Sequence, residues 1–138
     1  MTLTKSLAED AIELLKQLIE TPSISKEENK TADLLEEFFR ERAIPFSRLE
    51  NNIWVKNKYF SSELPTILLN SHHDTVKPNA SWTYEPYKAT LEGDKLTGLG
   101  SNDAGGPLVA LIATFLYFYH RTDLSYNLIL AATAEEEI

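Results

Sequence analysis

The chain of 138 residues contains no cysteine. That absence removes disulfides and thiolate metal ligands together. Any metal would have to be held by imidazole and carboxylate. Histidine is scarce too: there are 3 in all, and two stand side by side in "LLNSHHDTVKP", residues 68–78. Basic residues are in deficit, 13 Lys and Arg against 21 Asp and Glu, which leaves a net charge of -8. A nucleic-acid partner would call for a basic stripe instead. Long apolar runs are missing as well. The longest, residues 107–119, falls short of the roughly 20 residues that span a bilayer. The opening "MTLTKSLAEDAIELL" carries acids where a signal peptide needs an uninterrupted apolar core. The expectation is a cytoplasmic protein with no nucleic-acid and no membrane partner.

What is present suits one domain with a real core, since 43% of the residues are hydrophobic. Residues 6–20 repeat apolar side chains at helical spacing, and Pro22 stops that pattern. A second amphipathic helix is predicted from about Glu27 to Arg42, with Leu34, Leu35, Phe38 and Phe39 as its stripe. "NIWVKN" and "TILLNSH" then read as strands, the second buried on both faces. "YKATLEGDKLTG" reads as a hairpin turning at Gly93. "GLGSNDAGG" is a glycine-rich loop, followed by a helix from Pro107 to about His120, with the proline in its first turn. The apolar strand "YNLILAAT" delivers the chain into "AEEEI". This order predicts an α/β fold: a mostly parallel sheet flanked by helices, in one domain.

Ligands of open α/β sheets bind at the carboxyl ends of strands, and three acidic or histidine clusters fall there. The first is His72, His73 and Asp74. Strand alternation sends His72 and Asp74 to one side and His73 to the other. Asp74 is then placed to take a hydrogen bond from the His72 ring, directly or through neighbouring backbone, and fix its tautomer, as carboxylates do behind metal-binding histidines. His73 has no such part and reads as a neighbour, not a ligand. The second is Asp103 in the glycine loop. The Walker lysine and the dinucleotide spacing are both absent, and an aspartate there repels phosphate, so a cation is the better guest. The third is Glu135, Glu136 and Glu137. Three carboxylates at the end of a buried strand repel one another unless a positive charge compensates. Singly, each cluster is also compatible with a polar strand exit, a turn aspartate or a solvated acidic tip.

Together and in order, "SHHDTV", "GLGSNDAGG" and "TAEEE" resemble the di-zinc aminoacylase and carboxypeptidase family. Acetylornithine deacetylase, succinyl-diaminopimelate desuccinylase and glutamate carboxypeptidase belong to it. "ETPSISKEE", residues 20–28, is similar to that family's N-terminal signature. The resemblance implies a zinc-peptidase-like catalytic domain and the hydrolysis of an amide bond by a water that two zinc ions, or cobalt in their place, activate. It implies that His72 ligates one metal with Asp74 in support, that Asp103 bridges the two, and that a cis peptide follows Asp103. It further implies that Glu136 is the general base and that Glu137 ligates the other metal. Glu135 stands where relatives often have Asp, Lys77 is inserted before the usual proline, and Ala104 and Gly105 replace the common Met-Lys.

The run "SWTYEPYKATLEGDKLTGLGSNDAGG" is most similar to acetylornithine deacetylases. The substrate implied is therefore a small N-acyl amino acid, N-acetylornithine first, which points to arginine biosynthesis. Desuccinylation of succinyl-diaminopimelate and cleavage of di- or tripeptides are the enzyme alternatives. In the family a further carboxylate, a further histidine and a separate domain for dimerisation and substrate closure follow downstream. Residues 1–138 are thus expected to be the N-terminal part of a catalytic domain whose full-length form is a homodimer, and to bind metal weakly and catalyse little alone. A non-catalytic α/β binding module is the competing class, and it predicts no convergence of Asp103 with His72 and Glu137.

Overall fold

A computed structural model describes residues 2–138. Helix α1 spans Leu3–Glu20, α2 Asn29–Glu41 and α3 Gly106–Phe118. The strands are β1 Phe46–Leu49, β2 Asn52–Lys56, β3 Thr66–His72, β4 Thr90–Glu92, β5 Lys95–Thr97 and β6 Asn127–Thr133. β4 and β5 form the expected hairpin, with Gly93 at φ +60°, a value that a residue lacking Cβ adopts freely.

The other four strands make one sheet in the order β1-β2-β6-β3. The α/β class holds, but the sheet is mixed rather than mostly parallel. β6 runs parallel to β3 and antiparallel to β2, and β1 pairs antiparallel with β2. The reason is β1, whose alternating "FSRL" returns through a tight turn at Glu50 (φ +54°) and brings β2 back beside the last strand.

Cross-strand partners share a face. One face carries Ile53, Val55, Leu69, Leu128, Leu130 and Ala132, against which α2 and α3 pack. Leu35 and Phe39 of α2, Ile112 and Phe115 of α3, and Leu14 of α1 close this core at 3% exposure or less. The opposite face, with Trp54, Leu68 and Ile129, bears no helix among the described residues. The expectation of a β3 buried on both sides therefore fails. β3 is an edge strand, and its Ile67 and Leu68 are 45% and 61% exposed. Its last residues behave differently, because Ser71 through Thr75 are buried. There the backbone continues past the strand and pairs with residues 23–25: Thr75 N–H donates to the Ser23 carbonyl at 2.8 Å, and Ser25 N–H to the Thr75 carbonyl at 3.1 Å.

Candidate metal centre

His72 ends β3, Asp103 lies in the irregular turn Ser101–Gly105 just before α3, and Glu136 and Glu137 follow β6. β3 and β6 are parallel neighbours, so their carboxyl ends coincide, and α3 packs against both with its preceding turn at that same end. Gly100 enters this turn at φ +74°, and a Cβ there would come within 2.6 Å of the Thr75 methyl. Only glycine lets the loop approach so closely. The Asp103–Ala104 peptide is cis.

His72, Asp103 and Glu137 each place one donor atom within 4.8 Å of the others. The geometry decides what can lie between them. His72 Nδ1 is 3.1 Å from the Asp74 carbonyl oxygen and 3.3 Å from its carboxylate Oδ1, so this nitrogen carries the proton and donates. In a neutral ring Nε2 is then a bare acceptor, and it faces Asp103 Oδ1 at 3.1 Å and Glu136 Oε2 at 3.8 Å. Acceptor against acceptor is stable only with a positive species between them, a proton or a cation. Without a metal it is the proton: burial pulls the His72 pKa down, but the Asp103 hydrogen bond and the charges of Asp74 and Glu136 leave it above the ordinary value. An imidazole with two carboxylates is a donor set that suits zinc and neighbouring divalent ions.

Asp74 is fully buried. Burial pushes its carboxyl up, yet the N–H groups of Glu137 and Glu136 outweigh this and hold it below the usual carboxylate range. Glu137 N–H donates to Asp74 Oδ2 at 2.9 Å, so Asp74 touches both the His72 ring and the backbone of the acidic segment. His73 is turned the other way, as strand alternation requires. Its Nε2 donates to the Asn51 carbonyl at 2.9 Å and its Nδ1 accepts from the Thr31 hydroxyl at 2.8 Å. Burial lowers its pKa and keeps the ring neutral. His120 sits exposed near Lys58, remote from the cluster.

Glu28, Thr31 and Asn51 are further polar residues hydrogen-bonded around His73 and the acidic segment, and no motif in the sequence marks Thr31 or Asn51. Glu28 stands at the end of "ETPSISKEE", and its position in that segment was the only signal it offered. A cleft of about 460 Å³ opens beside Asp103 and Glu137, walled by Thr75, Val76, Trp82 and Leu99.

Residues 68–138, just over half of the chain, match peptidase family M20/M25/M40. The chain belongs to that family. It is 34% identical over 141 residues to an acetylornithine deacetylase of Erwinia tasmaniensis, covering 91% of this chain and 36% of the relative. It is 30% identical over 133 residues to a succinyl-diaminopimelate desuccinylase of Orientia tsutsugamushi, covering 91% of this chain and 34% of the relative. Among solved structures, a dinuclear metal-binding peptidase of the M20 family from Bacillus subtilis superposes with a TM-score of 0.70 at 17% identity, over 97% of this chain and 37% of that one. The chain thus spans about a third of the length of the curated relatives it matches.

Proposed function

We propose that this M20 chain forms the metal-binding half of a site that hydrolyses the amide bond of a small N-acyl amino acid, with N-acetylornithine as the first candidate and arginine biosynthesis as the setting. The observation that carries the reading is the lone pair of His72 Nε2 aimed at two carboxylates, with Glu137 completing the group. A non-catalytic module predicts no such convergence.

In this proposal His72, Asp103 and Glu137 would hold divalent metal, zinc or cobalt. When bound, such ions polarise the scissile carbonyl and lower the pKa of the attacking water. Glu136 is the proton carrier. Its side chain is 60% exposed and close to His72, free enough to take a proton from the water as it adds to the carbonyl carbon. It then delivers that proton to the nitrogen as the C–N bond breaks. Asp74 keeps the His72 ring in the tautomer that leaves Nε2 free, and the cleft walled by Val76 and Trp82 receives an uncharged part of the substrate. The 34% likeness to a deacetylase and the neutral cleft wall support acetyl over succinyl. The 30% likeness to a desuccinylase keeps succinyl-diaminopimelate as the second reading.

Assay of the whole protein on N-acetylornithine, N-succinyl-diaminopimelate and dipeptides tests both. The fastest turnover is expected on N-acetylornithine, and it should be lost in Glu136→Gln while bound metal remains. Preference for either other substrate replaces the first reading, and near-normal turnover in Glu136→Gln removes the base assignment.

A further inference from the structure

The mechanism leaves one buried acid unused. Glu28 is completely buried, and an ionisable side chain is rarely kept inside a protein unless its polar atoms are paired. Glu28 Oε1 accepts from the Lys26 N–H at 2.6 Å and from the Glu135 N–H at 3.2 Å, and Oε2 accepts from the Asn51 amide at 3.0 Å. None of these donors is a side-chain cation, so the carboxylate does not serve an ion pair. Nor does it cap α2, the helix that starts one residue later, since it makes no hydrogen bond to that helix's N–H groups. Its three donors come instead from the loop before α2, the turn between β1 and β2, and the segment after β6.

We infer that Glu28 is a positioning residue of the candidate metal centre, fixing the backbone that carries Glu136 and Glu137. The inference rests on the proposed function for what those two residues do. Glu135 has φ +59°, a left-handed conformation that a side chain with a Cβ disfavours. Such a residue persists only where its surroundings determine it. The Glu28 carboxylate on its N–H is the strongest polar contact available to do so, because hydrogen bonds to an ionised acceptor exceed neutral ones.

Two residues on, Asp74 holds the Glu137 N–H in the same manner. Two buried carboxylates thus grip the two ends of the acidic run by its backbone, and the direction of Glu136 and Glu137 follows from that grip. His73 acts on the same node from behind, since its Nε2 fixes the Asn51 carbonyl while the Asn51 amide meets Glu28. That is a reason for a buried histidine beside the ligand histidine to be no ligand itself.

The test is amide hydrogen exchange by NMR together with zinc titration by calorimetry, on the wild-type chain, Glu28→Ala and Glu28→Gln. In Glu28→Ala the amides of Glu135 to Glu137 should exchange about tenfold faster or more, while those of Leu128 to Ala132 in β6 keep their protection. Zinc affinity should fall by about tenfold or more, the usual effect of removing a group that orients a ligand. Glu28→Gln preserves the shape and one acceptor oxygen, so it should fall between wild type and Ala in both readouts. It also carries the comparison if the Ala chain does not fold. Equal exchange at Glu135 in wild type and Glu28→Gln, or a uniform loss of protection through β6, overturns the positioning role. A wild-type chain that takes no zinc counts against the metal reading alone, because the exchange comparison still decides whether Glu28 holds the segment.

Discussion

At the level of single residues, the site is a set of acceptors whose arrangement only makes sense with protons or cations supplied. Asp74 is the clearest case. Its Oδ2 accepts from the Glu137 N–H, its backbone carbonyl accepts from the His72 ring, and its Oδ1 lies 3.3 Å from that ring with no hydrogen bond and no access to water. Replacing it by alanine leaves the Glu137 N–H without its acceptor and removes the carboxylate beside His72, although the residue-74 carbonyl still accepts from the ring. The expected loss is about 1–3 kcal/mol, read from urea denaturation near neutral pH. The sign of the pH effect follows from the depressed pKa. A carboxyl that is more acidic folded than unfolded contributes in full above its unfolded value of about 4. That contribution disappears as pH falls through the lower folded value. The Asp74→Asn variant should therefore be less stable than wild type at neutral pH, with the gap narrowing on acidification. A gap that widens toward acid would contradict the assignment. This residue and His72 were legible in the sequence because strand alternation alone puts positions 72 and 74 on one side. Glu28 and Asn51 were not, because their partners lie up to 107 positions away along the chain and nothing in local pattern predicts such a meeting.

At the level of elements, the helices and the β4–β5 hairpin followed from periodicity and turn chemistry, with ends that shifted by a few residues. β1 escaped because "FSRL" sets a serine and an arginine among only two apolar residues, a pattern as compatible with a loop. Without β1 there is no hairpin to return β2 antiparallel beside β6, so the mixed character of the sheet was hidden as well. β3 departs from expectation for a different reason. "TILLNSH" has the unbroken apolar start of a central strand, yet it lies at an edge with Ile67 and Leu68 open to solvent. An exposed apolar edge strand invites pairing with another chain. Leu68→Lys should therefore reduce concentration-dependent association, followed by light scattering or sedimentation. It should change folding stability by no more than about 0.5 kcal/mol, as a surface substitution away from packed features does. A large stability loss would show that Leu68 is packed after all, and unchanged association would place the sticky surface elsewhere.

At the level of the whole molecule, part of the acidic excess behind a net charge of -8 meets at one place, with Asp103, Glu136 and Glu137 gathered around one imidazole. The fold accepts this because the Asp103 and Glu136 side chains stay largely in water, while the buried Glu28 and Asp74 carboxylates hold the backbone of the acidic run. A cation binding only the folded chain must then raise its apparent stability by an amount set by concentration and affinity, about 2.7 kcal/mol at a hundredfold excess over Kd. Thermal unfolding with increasing zinc or cobalt should show a rising midpoint in the wild-type chain. The rise should vanish in Asp103→Ala, which loses one of the three donors, and survive in Glu136→Gln, whose side chain is assigned to the proton and not to the metal. The two variants separate the roles, since both remove one negative charge from the same cluster. If the rise reflected general screening of acidic repulsion, the two would weaken it equally, and magnesium at the same concentration would reproduce it. If it reflects a built site, only Asp103→Ala abolishes it, and magnesium, which favours an octahedral shell of oxygens, raises the midpoint far less.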